Sequence, residues 1–352
     1  MRHARGATGT TEVAESIVVV QTAFLGDVVL TTPLFRALRR CRPRAHIAAL
    51  VTPEAAPLVE EDPHLDRVLT YDKKGGESLR SAVGTMRAQA PDLLVAPHRS
   101  QRSALLAIAS GAGTRVGFAD AGFRWLYNRQ VPRPLELHEV DRNLALMEGV
   151  GCAADASDRR LHVGYTEREA QAVAAVLREA GVADGDRVLG LCPGSVWATK
   201  RWLPQGFAAV GRHFAARGWR VVVLGGPGDR EVSAEVATAI GPAAVAAAGV
   251  TPLKALAAWM DRLALLVSND SAPLHVAAAR NIPTVAVFGA TTQDLGFGPF
   301  HPASRVVEVP LECRPCGLHG GNACPRGHFR CMGDISPESV LGACRDLLGG
   351  TP

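Results

Sequence analysis

Short continuous apolar runs, each followed by a stretch with helical spacing, recur along the chain and constrain its fold more than any other feature. In the first half, strands are expected near Ile17–Gln21, Ala45–Val51, Arg67–Thr70, Asp92–Ala96 and Arg115–Phe118, and helices near Val28–Arg40, Glu77–Gln89 and Ser100–Ala109. In the second half, strands fall near Arg187–Cys192, Arg220–Leu224, Ala264–Ser268 and Thr284–Phe288, and helices near Pro204–Arg217, Asp229–Ile240, Pro252–Asp261 and Ala272–Arg280. A strand apolar on both faces must be covered on both, and intervening helices supply that cover, so the pattern implies parallel sheets wrapped by helices. Two such sets imply an α/β protein of two Rossmann-like domains, and 352 residues suffice for a core in each. The polar stretch Asp155–Arg160 and a helix over Thr166–Ala180, opening on a Thr-x-x-Glu capping box, put the division near residue 163, giving domains at 16–163 and 164–352.

Composition narrows the function. Hydrophobic residues make up 47% and charged residues 20%, as in a soluble globular protein. No apolar run approaches the 18 residues of a membrane span. Residues 1–15, MRHARGATGTTEVAE, lack the apolar core of a secretory signal and read as a disordered tail, so a cytoplasmic location is expected. With a net charge of +4 and 5% aromatic residues, nothing points to nucleic acid, while a mild basic excess suits an anionic substrate or surface.

In open parallel sheets, ligands bind beyond the carboxyl ends of the strands. The loop leaving the first strand, QTAFLGDVVLTT, places Gly26-Asp27 there. Asp27 fits two roles, a helix cap and a carboxylate held at a cleft to accept a proton. Three loops of the second half crowd polar groups at the same kind of edge. In CPGSVWATKRW, Ser195 and Thr199 can donate to a phosphate that Lys200 neutralises. In LGGPGDRE, Gly226 lets backbone approach a ligand, and Asp229 or Glu231 can bind ribose hydroxyls. In SNDSAPLH, Asp270, Ser271 and His275 sit at a helix N-terminus, a natural anion site. Each loop is also compatible with ordinary capping and solvated charge. In the first half, Arg36, Arg39, Arg40, Arg42 and Arg44 suit a helix C-terminus. His98, Arg99 and Arg102 follow a strand end and are the stronger candidates for an acceptor. The His138–Gly149 helix suggests no chemistry. Four of eight cysteines form Cys313-x2-Cys316-x7-Cys324-x6-Cys331, with His319 and His328 among them. This spacing fits a structural zinc site, an iron–sulfur site, labile bridges or plain buried thiols. Cys41, Cys152, Cys192 and Cys344 read as isolated apolar positions.

Taken in order, these motifs resemble glycosyltransferase family 9, the ADP-heptose:lipopolysaccharide heptosyltransferases, and most of all the heptosyltransferase II branch. The resemblance rests on Phe24-Leu25-Gly26-Asp27, Arg102–Leu106, Arg115–Phe118, Pro193-Gly194-Ser195 with Lys200-Arg201-Trp202, Asn269–Ala279 and Phe288–Thr291. It implies a GT-B fold, with the acceptor on the first domain and the nucleotide sugar on the second. It further implies inverting transfer of heptose from ADP-L-glycero-D-manno-heptose to the inner core of lipopolysaccharide. The acceptor would then be a lipid-linked oligosaccharide, met at the inner membrane leaflet by a cytoplasmic, peripherally attached enzyme. Asp27 takes the place of the catalytic base, at an ordinary aspartate pKa. Ser195, Thr199, Lys200 and the 270–275 helix start hold the donor, no metal is required for catalysis, and the cysteine-rich loop 313–331 is structural. Three alternatives stand beside this expectation: a family relative using another nucleotide sugar, a GT-B-fold nucleotide-sugar epimerase, and a nucleotide-binding interaction module with a metal loop.

Overall fold

The computed structural model describes residues 15–349. The expected tail lies outside the described residues except for Glu15, whose carboxylate pairs with Arg42 Nε at 3.0 Å.

Six strands build the first sheet: β1 (Ser16–Val20), β2 (His46–Val51), β3 (Arg67–Thr70), β4 (Leu93–Ala96), β5 (Thr114–Phe118) and β6 (Arg129–Val131). The second sheet holds β7 (Val188–Cys192), β8 (Arg220–Val223), β9 (Ala244–Ala246), β10 (Leu265–Asn269), β11 (Thr284–Val287) and β12 (Ser304–Val307). Their orders are β3-β2-β1-β4-β5-β6 and β12-β11-β10-β7-β8-β9, and every pairing is parallel. Because β1, β7 and β10 are buried along their whole length, they can be apolar at every position without alternation. The chain changes direction across the sheet between β1 and β4 in one half and between β7 and β10 in the other. Loops leaving adjacent strands diverge there and open a crevice.

Helices α1 (Leu25–Val29), α2 (Thr32–Cys41), α3 (Leu79–Arg87), α4 (Gln101–Ala109), α5 (Glu139–Ala145) and α6 (Met147–Val150) accompany the first sheet. With the second come α7 (Glu167–Glu179), α8 (Pro204–Ala215), α9 (Arg230–Ile240), α10 (Leu256–Met260), α11 (Ala272–Ala279), α12 (Arg330–Gly333) and α13 (Pro337–Leu347). The single helix expected over Val28–Arg40 is two, parted at Leu30-Thr31. Pro33, lacking an N–H, is tolerated in a first turn and not within a helix, so it begins α2 afresh.

The larger buried cluster runs from Ile17 and Val28 through Trp259 to Val276 and Ile282, so the two halves share an apolar seam. Here α1 packs on α11. At another point on the seam, Lys254 reaches across to Glu60 at 3.2 Å and Glu61 at 2.6 Å. The arginine-rich end of α2 is largely matched by acids: Arg39 pairs with Asp66 at 2.5 Å and Arg40 with buried Asp158 at 2.7 Å. Cys41 and Cys152 are not isolated apolar positions. They form a disulfide, with Cα atoms 6.4 Å apart, that ties the end of α2 to the segment after α6. No helix among the described residues is long and apolar enough to cross a membrane.

Candidate active site

The loop after β1 turns sharply into α1 at Phe24, and Asp27 occupies the first turn of that helix. Its Oδ2 accepts the Phe24 N–H at 3.1 Å, so the carboxylate closes the helix start as well as lining the cleft. The expected ordinary acidity does not hold. Burial lifts the Asp27 pKa to about 7, with the Glu139 carboxylate pushing the same way and the Phe24 N–H and Lys200 opposing weakly. Gly26 permits the setting: a Cβ there would stand 2.8 Å from His275 Cδ2, so only glycine lets α1 lie against α11.

Across the cleft, Lys200 Nζ pairs with Asp270 Oδ2 at 2.6 Å, and the Thr291 hydroxyl donates to the same oxygen at 2.6 Å. Asn269, fully buried, joins the two loops by accepting the Trp202 N–H at 3.0 Å and donating to the Pro193 carbonyl at 2.7 Å. No side chain caps α11, because the Ser271 hydroxyl turns to the Asn269 carbonyl at 3.3 Å, and its N-terminus stays open to an anion. Buried His275 has its pKa pushed down to about 4, chiefly by burial, and is therefore neutral, with Nδ1 unpartnered. Asp27, Ser195, Lys200, Asp270, Ser271 and His275 surround one cavity of about 150 Å³ formed by both halves. Beside it, sharing Leu25, Ser195 and Ser271, runs a groove of about 470 Å³ between Gly194, Gly226, Asp229 and Trp259. A site for an anion thus joins a largely apolar slot wide enough for a planar base.

Not every expected donor residue reaches this space. Thr199 is buried away from both cavities: its N–H and hydroxyl donate to the Gly321 carbonyl at 3.0 and 2.9 Å, and its hydroxyl accepts the Gly321 N–H at 2.8 Å. Glu231 lies in a separate groove around Asn322 and Phe329. Asp229 does line the nucleotide-sized slot, but its carboxylate accepts the Gly226 N–H at 2.9 Å and so shapes the loop.

On the first half, the His98 Nδ1 lies 3.2 Å from the Thr22 hydroxyl and 3.3 Å from that of Ser103, and its pKa falls to about 4, mostly from burial. Arg99 pairs with Asp120 at 2.8 Å, and Arg102 is exposed. Lys73, which sequence reasoning missed, joins them by donating to the Thr22 carbonyl at 2.5 Å. Glu139 was missed as well. It starts α5, pairs with Arg133 at 2.5 Å and Arg142 at 3.2 Å, and its charge acts on Asp27. Only a chemistry-free helix was legible there.

The cysteine-rich segment divides in two. Cys313 Sγ lies 3.8 Å from His328 Nε2 and Cys331 is buried, yet among the described residues no group of three or more His, Cys, Asp or Glu side chains is arranged to hold a metal ion. His319, with Leu318, lines the cavity that Asp27 and Lys200 share.

Two parallel α/β sheets with a shared cleft, a carboxylate from one half and a cation beside an open helix start from the other, define the GT-B class of glycosyltransferases. The family model for glycosyltransferase family 9 (heptosyltransferase) matches residues 80–321, and the chain belongs to that family. It is 28% identical to lipopolysaccharide heptosyltransferase 3 of Escherichia coli, over 76% of this chain and 82% of the relative. It is 25% identical to lipopolysaccharide heptosyltransferase 2 of E. coli strain K12, over 94% and 98%. Among solved structures, the family 9 glycosyl transferase of Veillonella parvula DSM 2008 superposes with a TM-score of 0.85 at 27% identity, covering 97% of this chain and all of that one.

Proposed function

We propose that this protein transfers a heptose, with inversion, from ADP-L-glycero-D-manno-heptose to the inner core of lipopolysaccharide. What carries the reading is the single cavity in which Asp27 of the first half faces Lys200 and the start of α11 in the second. An acceptor hydroxyl attacks the anomeric carbon on the face opposite the diphosphate. The new carbon–oxygen bond forms as the bond to ADP breaks, and the hydroxyl proton passes to Asp27. A base of pKa about 7 is half ionised at neutral pH and stronger than an ordinary aspartate, which suits a poor nucleophile. The departing diphosphate gains negative charge, which Lys200 and the open amides of α11 are placed to meet, with Ser195 and Ser271 at the mouth of the nucleotide slot.

We assign residues 16–163 to the acceptor and 164–352 to the donor. Arg99 and Arg102, joined by Lys73, suit the phosphates of a lipid-linked oligosaccharide met at the inner leaflet from the cytoplasm, and His98, neutral beside them, suits one of its sugar hydroxyls. Catalysis in this reading is independent of metal, since protein groups carry the charge. Asp27→Ala should lower transfer to truncated lipopolysaccharide by about 10²–10⁴-fold with ADP affinity kept, and a chelator should leave the rate unchanged. Loss of ADP binding in Asp27→Ala would reassign the residue.

A further inference from the structure

The cysteine-rich segment follows all the catalytic loops in sequence, yet one end of it returns to the reacting centre. Three contacts between Thr199 and Gly321 dock it beside Lys200. Gly320, at φ +79°, makes the turn, and a Cβ there would stand 3.0 Å from Thr199 Oγ1. Further back, the Cys316 N–H donates to the Ala290 carbonyl at 2.8 Å and Arg314 donates to the carbonyl of Thr291, the residue that holds Asp270. The segment is therefore fixed to the loop that carries Lys200 and to the loop whose Thr291 hydroxyl holds Asp270.

What it delivers is His319. Its ring lies 5.5 Å from that of Phe24, the residue that opens α1, and Phe24 in turn meets Trp197 edge-on at 6.5 Å. His319 thus stands where the two halves meet over the cavity and does not line the nucleotide slot. In the sugar-nucleotide reading, a diphosphate spanning the slot and the cavity at Ser195 and Ser271, which line both, would leave the sugar in the cavity that His319 lines. Burial, and the charges of Lys200 and Arg99, hold the imidazole below the usual histidine pKa. A neutral imidazole offers one donor and one acceptor, as a sugar hydroxyl does, whereas a cation would suit phosphate.

Resting on the sugar-nucleotide reading above, we propose that His319 is a specificity-determining residue that hydrogen-bonds the hydroxyls of the transferred sugar. The test uses the full chain, ADP-L-glycero-D-manno-heptose, its 6″ epimer and a truncated lipopolysaccharide acceptor, with His319→Ala, His319→Gln and thermal melts to confirm folding. In His319→Ala, kcat/KM for the donor should fall about tenfold to a hundredfold, the loss of one or two hydrogen bonds. The Kd of ADP should stay within about twofold, discrimination between the epimers should shrink, and His319→Gln should recover part of both. Unchanged donor kinetics, a matching loss of ADP affinity, or an effect confined to the acceptor KM would each overturn the proposal. A wild-type protein that binds ADP but transfers no heptose would overturn the reading beneath it; active wild type with an indifferent His319→Ala overturns this inference alone.

Discussion

Asp27 illustrates how far one residue type can be read from sequence. Its place at the end of a buried strand was legible, because Gly26-Asp27 follows the run Ile17–Val20. Its acidity was not, since the shift comes from burial by both halves and from Glu139, more than a hundred positions away. Two outcomes follow. With Asp27 as the proposed base, kcat/KM should fall about tenfold per pH unit below pH 7 as it protonates, with a plateau above. Stability should run the opposite way: the folded pKa of about 7 exceeds the ordinary aspartate value of 3.8, so the folded state holds a proton that the unfolded chain releases between those values. Stability is therefore lost as pH rises through that window, and Asp27→Asn, inactive, should be more stable than wild type at pH 8 by about 1–3 kcal/mol, the shift discounted for partial exposure. Thermal melts at pH 5 and pH 8 check the sign.

At the scale of elements, central strands were legible because parallel strands buried on both faces are continuously apolar. The short edge strands β6, β9 and β12 were not: Arg129-Gln130 and Ser304-Arg305 carry no apolar run, and only pairing with a formed neighbour makes them strands. The setting of Thr199 was hidden for a similar reason. A threonine beside Lys200 reads as a phosphate donor, and only the return of Gly321, 122 positions on, reveals its real partner. The contact of α1 with α11 gives the sharpest test here. Gly26→Ala places a methyl 2.8 Å from His275 Cδ2, so the helices must part. The expected cost is about 1–3 kcal/mol of stability and, through displaced Asp27, a larger loss in kcat than in ADP affinity, read by calorimetry beside turnover.

For the whole molecule, two parallel sheets followed from the alternation of elements, while their strand order and the means by which the halves are joined did not. The shared apolar seam and the bridge of Lys254 to Glu60 and Glu61 are contacts across the division that no local pattern announces. Nor does spacing disclose the Cys41–Cys152 bond, 111 residues apart. Titration of unreduced, denatured protein should count six thiols, the number left free among eight cysteines. Cys41→Ser should lower stability by about 2–4 kcal/mol, and reductant should bring wild type down to the variant's melting point; eight thiols would refute the bond.

The mouth of the catalytic cavity is rimmed by Phe24, Val196 and Leu318, which are 46%, 71% and 60% exposed. An oily collar around a sugar pocket attracts more than sugars. Alkyl chains of the surfactants that keep lipid-linked acceptors in suspension would lodge there too. Rates measured at rising micelle concentration should therefore decline in competition with the donor, and a surfactant-free acceptor should restore them.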